Sequence, residues 1–362
     1  IIQPFLTSLT DSIAVFDPAA ALDLTSWTDS LLASLNTSFD FALPSTDSAL
    51  AAAATAAEPA SSVAAAGATI PLTVLEGTEP AVNATIDGGT TSVPLLVDTG
   101  SSGLVLPYTD FGTNYFSQLE ALYALGTPTG ISESGYSGGV DYLYLTYNHV
   151  PVDYLGAGGS TVLSTDGPVD VEIYSWDPSN IFSYFTNDAF QHFLGSNEVS
   201  GILGIGENTA GPTTTPFEGS SGVLVDIPHD QLVVGGDNPF PSAPSTAGDP
   251  VSNVLEKVGT GTAVAVSNNI DSGGVFGTIP SSLVSGGSVP AGTLISVYNT
   301  GGQELYSYTT TGNFDVGTGT GVSDSPTVVS GTSIDSGVLP FVNHAVYLDY
   351  AGDKTYFGPL TT

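Results

Sequence analysis

Residues 93–105 read VPLLVDTGSSGLV, an apolar run that ends in the triplet DTG at 98–100. The Leu and Val residues predict a buried strand, and the small residues after Asp98 predict a tight turn. A second triplet, DSG at 271–273, follows Ile270 in the other half of the chain. Two carboxyl groups presented from turns in separate halves can share one proton. The sequence therefore predicts a paired carboxylate site built by two parts of the chain.

The composition favours short strands and turns over long helices. The 362 residues include 44 Gly and 24 Pro, and the chain is long enough for one large core or two smaller ones. Lys257 and Lys354 are the sole cations, so the formal net charge is −34. Nucleic acid and anionic membranes are therefore poor partners. The sequence has no cysteine, which excludes disulfides and thiol chemistry.

Nearly all the carboxylates lack a cation to pair with, and this affects how the stability of the folded chain depends on pH. Crowding of like charges raises carboxyl pKa values in the folded chain above those of the unfolded chain. The stability that results is fully present below the unfolded pKa values and is lost as the pH rises through the folded ones. We therefore expect the protein to tolerate acid.

Sequence patterning divides the chain near residue 68. Residues 1–68 contain Leu at helical spacing and then an Ala-rich stretch without large apolar residues, which predicts an N-terminal extension or linker and no membrane span. This segment is either a spacer or a cover over a cleft. Beyond it, the patterns predict strands at 70–75, 81–86, 92–97 and 140–147, helices at 115–125 and 181–194, and a hairpin at 346–357.

The residues around the two carboxyl groups suit the hydrolysis of a peptide bond. In such a pair, the ionised carboxyl takes a proton from water and the protonated one polarises the carbonyl, so catalysis falls to Asp98 and Asp271. Small residues let backbone N–H groups approach the carboxylates, and hydroxyl groups can brace the opposing loops. The predicted supporting residues are Thr99, Gly100, Ser101, Ser272 and Gly273.

The two triplets and their flanks resemble the catalytic motifs of the pepsin-like aspartic proteases. The match is complete at Asp98, whereas at Asp271 only Ile270 directly precedes the triplet as an apolar residue. The resemblance implies a mainly β, two-lobed fold with few short helices. It places an N-terminal lobe at 69–240 and a C-terminal lobe at 241–362, each with one catalytic Asp.

In that family, a later apolar strand passes under each catalytic loop. GILGIG at 201–206 resembles this strand in the first half, and SGVLPF at 336–341 resembles its counterpart in the second. A third triplet, DSG, begins at Asp335, directly before the second segment. The resemblance assigns Asp335 to the supporting strand, and Asp271 is favoured over it as the second catalytic residue.

The family also covers its cleft with a hairpin that carries a tyrosine. GYSGG at 135–139 lies in the corresponding order along the chain and contains the expected turn residues. The resemblance therefore implies that Tyr136 and Gly138 contact the substrate, while an ordinary hairpin tyrosine is an equal alternative.

The second triplet departs from the family pattern. Gly274 stands where a Ser or Thr usually donates a hydrogen bond to the carboxylate, the role that Ser101 is expected to take in the first half. Loss of this donor raises the pKa of the carboxyl group, so we expect an unequal pair in which Asp271 is the acid.

A narrower resemblance covers about residues 68–360. The low Lys and Arg content, the Gly, Ala and Thr richness and the Ala-rich leader resemble the aspartic protease domains of mycobacterial PE-family proteins. That resemblance implies type VII secretion, a location outside the cell or on its outer surface, and exported PE-type proteins as substrates. We expect a monomer that acts on polypeptides without a cofactor or metal.

Two other functions fit parts of the sequence. GYSGG also matches the Gly-x-Ser-x-Gly elbow of serine hydrolases, which would make Ser137 a nucleophile. However, an alternating strand follows it where that fold requires a helix. The second alternative is a surface binding domain that keeps the protease fold and has lost catalysis. Retention of both Asp98 and Asp271 argues against it.

Overall fold

A computed structural model describes residues 67–136, 140–177, 188–196, 198–284, 287–311 and 325–360, except the side chains of 115 and 116. The predicted extension at 1–68 therefore lies almost wholly outside the described residues. The strands are β1 (Ala68–Leu75), β2 (Glu79–Ile86), β3 (Val93–Asp98), β4 (Ser102–Pro107), β5 (Gly130–Tyr136), β6 (Val140–Leu155), β7 (Thr161–Trp176), β8 (Gly201–Ile205), β9 (Val223–Asp226), β10 (Gln231–Val234), β11 (Ser245–Ala247), β12 (Val251–Val258), β13 (Val264–Asn269), β14 (Thr278–Pro280), β15 (Leu294–Asn299), β16 (Glu304–Thr309), β17 (Thr327–Val329), β18 (Ser333–Asp335), β19 (His344–Asp349) and β20 (Lys354–Leu360).

Helices are short and few in the part of the chain that the structure describes, which confirms the mainly β prediction. They are α1 (Tyr115–Ala124), α2 (Ala189–Ser196) and α3 (Leu339–Asn343), with 3₁₀ turns at Tyr108–Phe111, Ile227–His229 and Ser281–Leu283. The helix predicted at 115–125 is confirmed as α1. The one predicted at 181–194 lies partly outside the described residues, and its described part is α2.

The strands form two sheets. The larger has the order β11-β20-β19-β9-β10-β1-β2-β3-β8-β4-β7-β6-β5, and the smaller has the order β16-β15-β12-β13-β18-β14-β17. The predicted C-terminal hairpin is confirmed as β19 and β20, which pair with each other and extend the larger sheet through β9. Strands from both predicted lobes therefore share one sheet, and the lobe boundaries remain predictions.

Each sheet contains the same three-strand unit around a triplet. In the larger sheet, β3 runs parallel to β8, and β8 runs antiparallel to β4. In the smaller sheet, β13 runs parallel to β18, and β18 runs antiparallel to β14. One triplet follows the first strand of each unit, so the repeated topology presents the two carboxyl groups alike.

Glycine allows a strand to pass close beneath the first loop. Gly204 lies opposite Asp98 in the β3–β8 register. A Cβ atom on Gly204 would lie 2.7 Å from the backbone of Ser102 and 2.8 Å from that of Gly103, closer than real Cβ atoms approach. The predicted supporting segment at 201–206 is therefore confirmed as β8.

The supporting segment of the second half was placed a few residues too late. The strand is β18, Ser333–Asp335, whereas most of the predicted segment at 336–341 forms a turn and the start of α3. Gly337 has φ +62°, a left-handed conformation that ends the strand, and Pro340 lies in the first turn of α3, where its missing N–H costs no helical hydrogen bond.

One large apolar core packs against both sheets. Val97 on β3 and Ile270 beside the second triplet belong to the same buried cluster, together with Phe341 of α3. A second cluster packs Phe190 of α2 against Tyr142 of β6. The described residues include no helix that is both long and apolar enough to cross a membrane.

Candidate active site

The structure brings Asp98 and Asp271 together from the two halves of the chain. Asp98 is the last residue of β3, and Asp271 lies two residues beyond the end of β13. Both are buried, with 6% and 8% of their surface exposed. Their carboxyl groups are hydrogen-bonded to each other, which requires a shared proton.

The glycine of each triplet has a double function. The backbone N–H of Gly100 donates to Asp98 Oδ1 at 2.8 Å, and that of Gly273 donates to Asp271 Oδ1 at 2.8 Å. A Cβ atom on Gly100 would lie 2.2 Å from Asp271 Cγ, and one on Gly273 would lie 3.0 Å from Asp98 Cγ. Each glycine therefore holds its own carboxylate and leaves room for the opposite one.

The middle residues of the triplets tie the two loops together. The N–H of Thr99 donates to Ser272 Oγ at 3.1 Å, and the N–H of Ser272 donates to Thr99 Oγ1 at 2.9 Å. Each hydroxyl then donates across to the other half, Thr99 Oγ1 to the Ile270 carbonyl at 2.6 Å and Ser272 Oγ to the Val97 carbonyl at 2.5 Å. Four buried hydrogen bonds thus fix the spacing of the two carboxyl groups.

Further polar groups hold the backbone of the first loop. Thr209 Oγ1 donates to the Gly100 carbonyl at 2.6 Å, and Asn269 Nδ2 donates to the same oxygen at 3.1 Å. On the second loop, the N–H of Asp271 donates to Ser336 Oγ at 2.9 Å. Sequence patterns gave no signal for Thr209, which reaches its loop only through tertiary folding, whereas Ser336 begins the segment that was predicted to pass under the second loop.

Burial and like charge keep protons on this pair. Burial, and next the charge of Asp271, raise the pKa of Asp98 well above its ordinary value. Burial, and next the charge of Asp335, raise the pKa of Asp271 from 3.8 to about 8. The pair therefore retains a proton well above the pH at which an exposed aspartate loses it. The assignment of Asp271 as the acid stays a prediction, since the pKa values of both groups are raised.

The groups beside the two carboxyl groups differ between the halves, as the sequence predicted, but the group beside Asp271 was not foreseen. Ser101 Oγ donates to Asp98 Oδ2 at 2.5 Å, as the sequence predicted. Beside Asp271, however, the space next to Gly274 contains the side chain of Asp335, whose carboxyl group is hydrogen-bonded to that of Asp271. The sequence correctly placed Asp335 on the supporting strand, but its role is wider than support, because its side chain reaches the pair.

Tyr136 is the last residue of β5, opposite Val140 in the β5–β6 hairpin. Its ring stacks on Tyr142, Phe190 and Phe193, with ring centroids 5.5, 6.2 and 6.1 Å away. The charge of Asp98 contributes to the raised pKa of this tyrosine, which places Tyr136 within electrostatic range of the pair. Its role in substrate binding stays a prediction. Gly138, the other predicted contact, and Ser137, the alternative nucleophile, lie outside the described residues.

The described residues were also searched for a metal centre. Among the described residues, no group of three or more His, Cys, Asp or Glu side chains has the arrangement of a metal site. Two buried carboxyl groups at this spacing can transfer protons to and from a water molecule and a bound carbonyl.

Comparisons with known proteins agree with this geometry. Residues 68–356 match the family described as the PE-PGRS C-terminal aspartyl peptidase-like domain. PE cleavage protein A of Mycobacterium tuberculosis is 38% identical over 303 residues, which cover 79% of this chain and 50% of that protein. PE cleavage protein A of Mycobacterium marinum is 39% identical over 302 residues, with the same shares covered. The chain thus spans about half the length of the curated relatives it matches. A family match over most of the chain confirms the narrower resemblance seen in the sequence, and the chain belongs to the PE-PGRS C-terminal aspartyl peptidase-like domain family.

Proposed function

We propose that this chain is an aspartic endopeptidase in which Asp98 and Asp271 activate water for peptide-bond hydrolysis. The observation that supports this proposal most directly is that the two buried carboxyl groups lie together, each held by the glycine N–H of its own triplet. Neither half contains a complete site. The two carboxyl groups are held side by side because the loops that carry Thr99 and Ser272 are hydrogen-bonded to each other.

The proposed reaction uses one proton shared by two carboxyl groups. The ionised carboxyl accepts a proton from water as the water attacks the peptide carbonyl carbon. The protonated carboxyl donates its proton to the carbonyl oxygen, which gives a neutral tetrahedral intermediate. The carboxyl that took the proton from water then donates it to the leaving nitrogen, while the other carboxylate takes a proton back from a hydroxyl group of the intermediate, and the C–N bond breaks. Burial supports this cycle, because it disfavours the state in which both carboxyl groups are charged.

We further propose that exported PE-type proteins are the substrates. The relatives are named PE cleavage protein A, and this chain aligns with half of their length. The proposed location is extracellular or on the outer cell surface, after type VII secretion. A net charge of −34 suits a protein that is kept apart from anionic membrane and nucleic acid.

The test is a cleavage experiment with candidate exported PE-type proteins. Purified wild-type chain is mixed with each candidate, and new N-termini are identified by mass spectrometry. Asp98→Asn and Asp271→Asn remove one proton-transfer group each while keeping the side-chain shape, and each should lower the cleavage rate by at least about 100-fold. Ser92→Ala, at an exposed serine, is the matched control and should cleave at the wild-type rate.

The same experiment separates the alternatives. A statine peptide, which mimics the tetrahedral intermediate, should block cleavage, whereas a serine-directed phosphonate should leave it unchanged. Phosphonate inhibition together with loss of activity in Ser137→Ala would establish the serine hydrolase instead. Binding of PE-type proteins without any new N-terminus, at every pH between about 4 and 8, would establish the inactive binding domain.

A further inference from the structure

We propose that Thr209 and Asn269 are positioning residues for the proposed reaction. Together they hold the carbonyl group of Gly100, one from each half of the chain, and thereby keep the hydrogen-bond donors of Asp98 in place. Both residues lie outside the triplets. The inference rests on the proposed peptidase activity and deepens it.

Two donors converge on the Gly100 carbonyl oxygen. Thr209, beyond the end of β8, donates from its Oγ1 at 2.6 Å, and Asn269, the last residue of β13, donates from its Nδ2 at 3.1 Å. A carbonyl oxygen has two lone pairs, so both are used here. The peptide unit between Gly100 and Ser101 is planar, so a fixed carbonyl also fixes the direction in which the chain enters Ser101.

The Gly100 carbonyl lies along the chain between the two groups that bind Asp98. The N–H of Gly100 donates to Asp98 Oδ1 at 2.8 Å, and Ser101 Oγ donates to Asp98 Oδ2 at 2.5 Å. A side chain cannot stiffen the loop at Gly100, because a Cβ atom there would lie 2.2 Å from Asp271 Cγ. Glycine has the greatest backbone freedom, so this link has to be restrained from outside. The two bonds to the carbonyl supply that restraint.

The donor from the first half is itself held in place. A Cβ atom on Gly206 would lie 2.6 Å from Thr209 Cγ2, so the threonine methyl group packs where a side chain at 206 would be. The hydroxyl on the same carbon atom then points to Gly100. The N–H of Gly206 also donates to the Ser101 carbonyl at 2.9 Å. The segment after β8 therefore holds two consecutive residues of the first loop.

The donor from the second half stands where the first half has an apolar side chain. Asn269 lies two residues before Asp271, and its side chain crosses to the opposite loop. Leu96 lies two residues before Asp98, is 3% exposed and belongs to the second apolar cluster. A leucine side chain has no N–H or O–H to donate. The asparagine therefore makes the loop of the first carboxyl group depend on the second half.

Loss of this restraint should change the ionisation of the pair. Burial, and next the charge of Asp271, raise the pKa of Asp98, whereas the hydrogen bonds from Ser101 and Gly100 lower it. The variants below leave unchanged the other titratable groups that act electrostatically with Asp98, which are Asp335, Glu79 and Tyr136. Weaker bonds to Asp98 raise the pKa at which the pair takes up its second proton, because they favour the charged form less. The acid limit of activity should therefore move to higher pH.

Four variants and one control test this role, with kcat and KM measured from about pH 3 to pH 8 on a peptide that spans the cleavage site identified by mass spectrometry. Thr209→Val replaces the hydroxyl with a methyl group, and Thr209→Ser keeps the hydroxyl. Asn269→Leu removes the N–H donor, and Thr209→Val/Asn269→Leu removes both donors. The control is Thr355→Val, because Thr355 Oγ1 donates to the Gly248 carbonyl at 2.7 Å, a bond of the same kind outside both triplet loops. Thermal unfolding shows whether each variant is folded.

The expected results distinguish positioning from general stability. Thr209→Val and Asn269→Leu should each lower kcat about fivefold and leave KM within about twofold of wild type, because a misplaced catalytic group slows the chemical step more than it weakens binding. The double variant should lose at least about 100-fold in kcat, more than the product of the single losses, because each donor partly compensates for the other. The acid limit should rise in all three, by about one pH unit in the double variant.

The hydroxyl group and the control have expected results of their own. Thr209→Ser should stay within about twofold of wild type in kcat, because the donor remains. Thr355→Val should have a lower thermal midpoint and keep the wild-type pH profile, because its lost hydrogen bond does not touch the triplet loops.

Several outcomes would overturn the proposal. A folded double variant with wild-type kcat and acid limit shows that the carbonyl needs neither donor, and if the double variant does not fold, wild-type acid limits in both single variants show the same. A Thr209→Ser as slow as Thr209→Val shows that the hydroxyl is not the group that acts. An equal shift of the acid limit in Thr355→Val traces the effect to general stability. A wild-type chain that cleaves no peptide overturns the proposed function itself, and this inference falls with it.

Discussion

Replacement of Glu172 by glutamine tests whether buried carboxyl groups set the pH range in which the protein is stable. Glu172 lies on β7 with 0% of its surface exposed. Its Oε2 accepts a hydrogen bond from Gln191 Nε2 at 2.8 Å. Burial raises the pKa of Glu172 from 4.5 to about 8. The folded chain thus holds a proton here that the unfolded chain has already released at neutral pH.

The direction and size of the effect follow from this difference in pKa. Because the folded pKa is raised, the stability due to Glu172 is fully present below about pH 4.5 and is lost as the pH rises through about 8. Between these values, the free energy of unfolding falls by about 1.4 kcal/mol per pH unit, which sets an upper limit of about 5 kcal/mol. Glutamine carries no charge at any pH. Glu172→Gln should therefore be about 2–5 kcal/mol more stable than wild type near pH 8 and within about 1 kcal/mol of it near pH 4.

The assay is urea unfolding at about pH 4, 6 and 8 at constant ionic strength, with Glu120→Gln on the exposed face of α1 as the control. The control should follow wild type within about 0.5 kcal/mol at each pH. The reasoning fails if the wild-type free energy of unfolding increases from pH 4 to pH 8. It also fails if Glu172→Gln shows no advantage over Glu120→Gln near pH 8.

Three further variants probe the loops and the core. Ser272→Ala should lower the free energy of unfolding, measured in urea, by about 2–4 kcal/mol, because the Thr99 N–H and the Val97 carbonyl each lose a buried hydrogen-bond partner. An effect no larger than that of Ser92→Ala would contradict this. Gly100→Ala places a Cβ atom 2.2 Å from Asp271 Cγ and should lower kcat/KM for peptide cleavage about 100-fold, so wild-type activity would refute the close approach. Tyr350→Phe removes a buried hydrogen bond to the end of β8 and should lower the free energy of unfolding by about 1–2 kcal/mol, which is measured as a lower thermal midpoint. An unchanged midpoint would contradict this.

Much of the fold could be predicted because its signals are local. Apolar runs and turn residues placed β1, β2 and β3 within a few residues of their observed ends. The strand expected at 140–147 is confirmed, although it continues to Leu155 as β6. The acid tolerance expected from the sequence stays a prediction, and charge crowding was the wrong leading cause for it. Burial ranks above charge crowding as the reason for the raised pKa of groups such as Glu172.

Features that depend on long-range register could not be predicted from local patterns. β13 pairs with β18 across more than sixty residues of chain, and that register decides which side chain lies beside Asp271. A shift of one residue would turn the Asp335 side chain to the other face of the sheet. The segment named at 336–341 began three residues after the start of β18, and Asp335 was assigned to support alone although its side chain reaches Asp271.

The two halves show why a motif can understate the chemistry of a site. A motif names the groups next to it in the sequence, whereas folding brings in others from neighbouring strands. In the first half, Ser101, the next residue after the triplet, donates a hydrogen bond to Asp98 and lowers its pKa. In the second half, Gly274 has no side chain, and the carboxyl group of Asp335 fills that space from the neighbouring strand. The charge of Asp335 raises the pKa of Asp271. A neutral hydroxyl group and a titratable carboxyl group therefore stand in corresponding places and act on the two carboxyl groups of the pair in opposite directions.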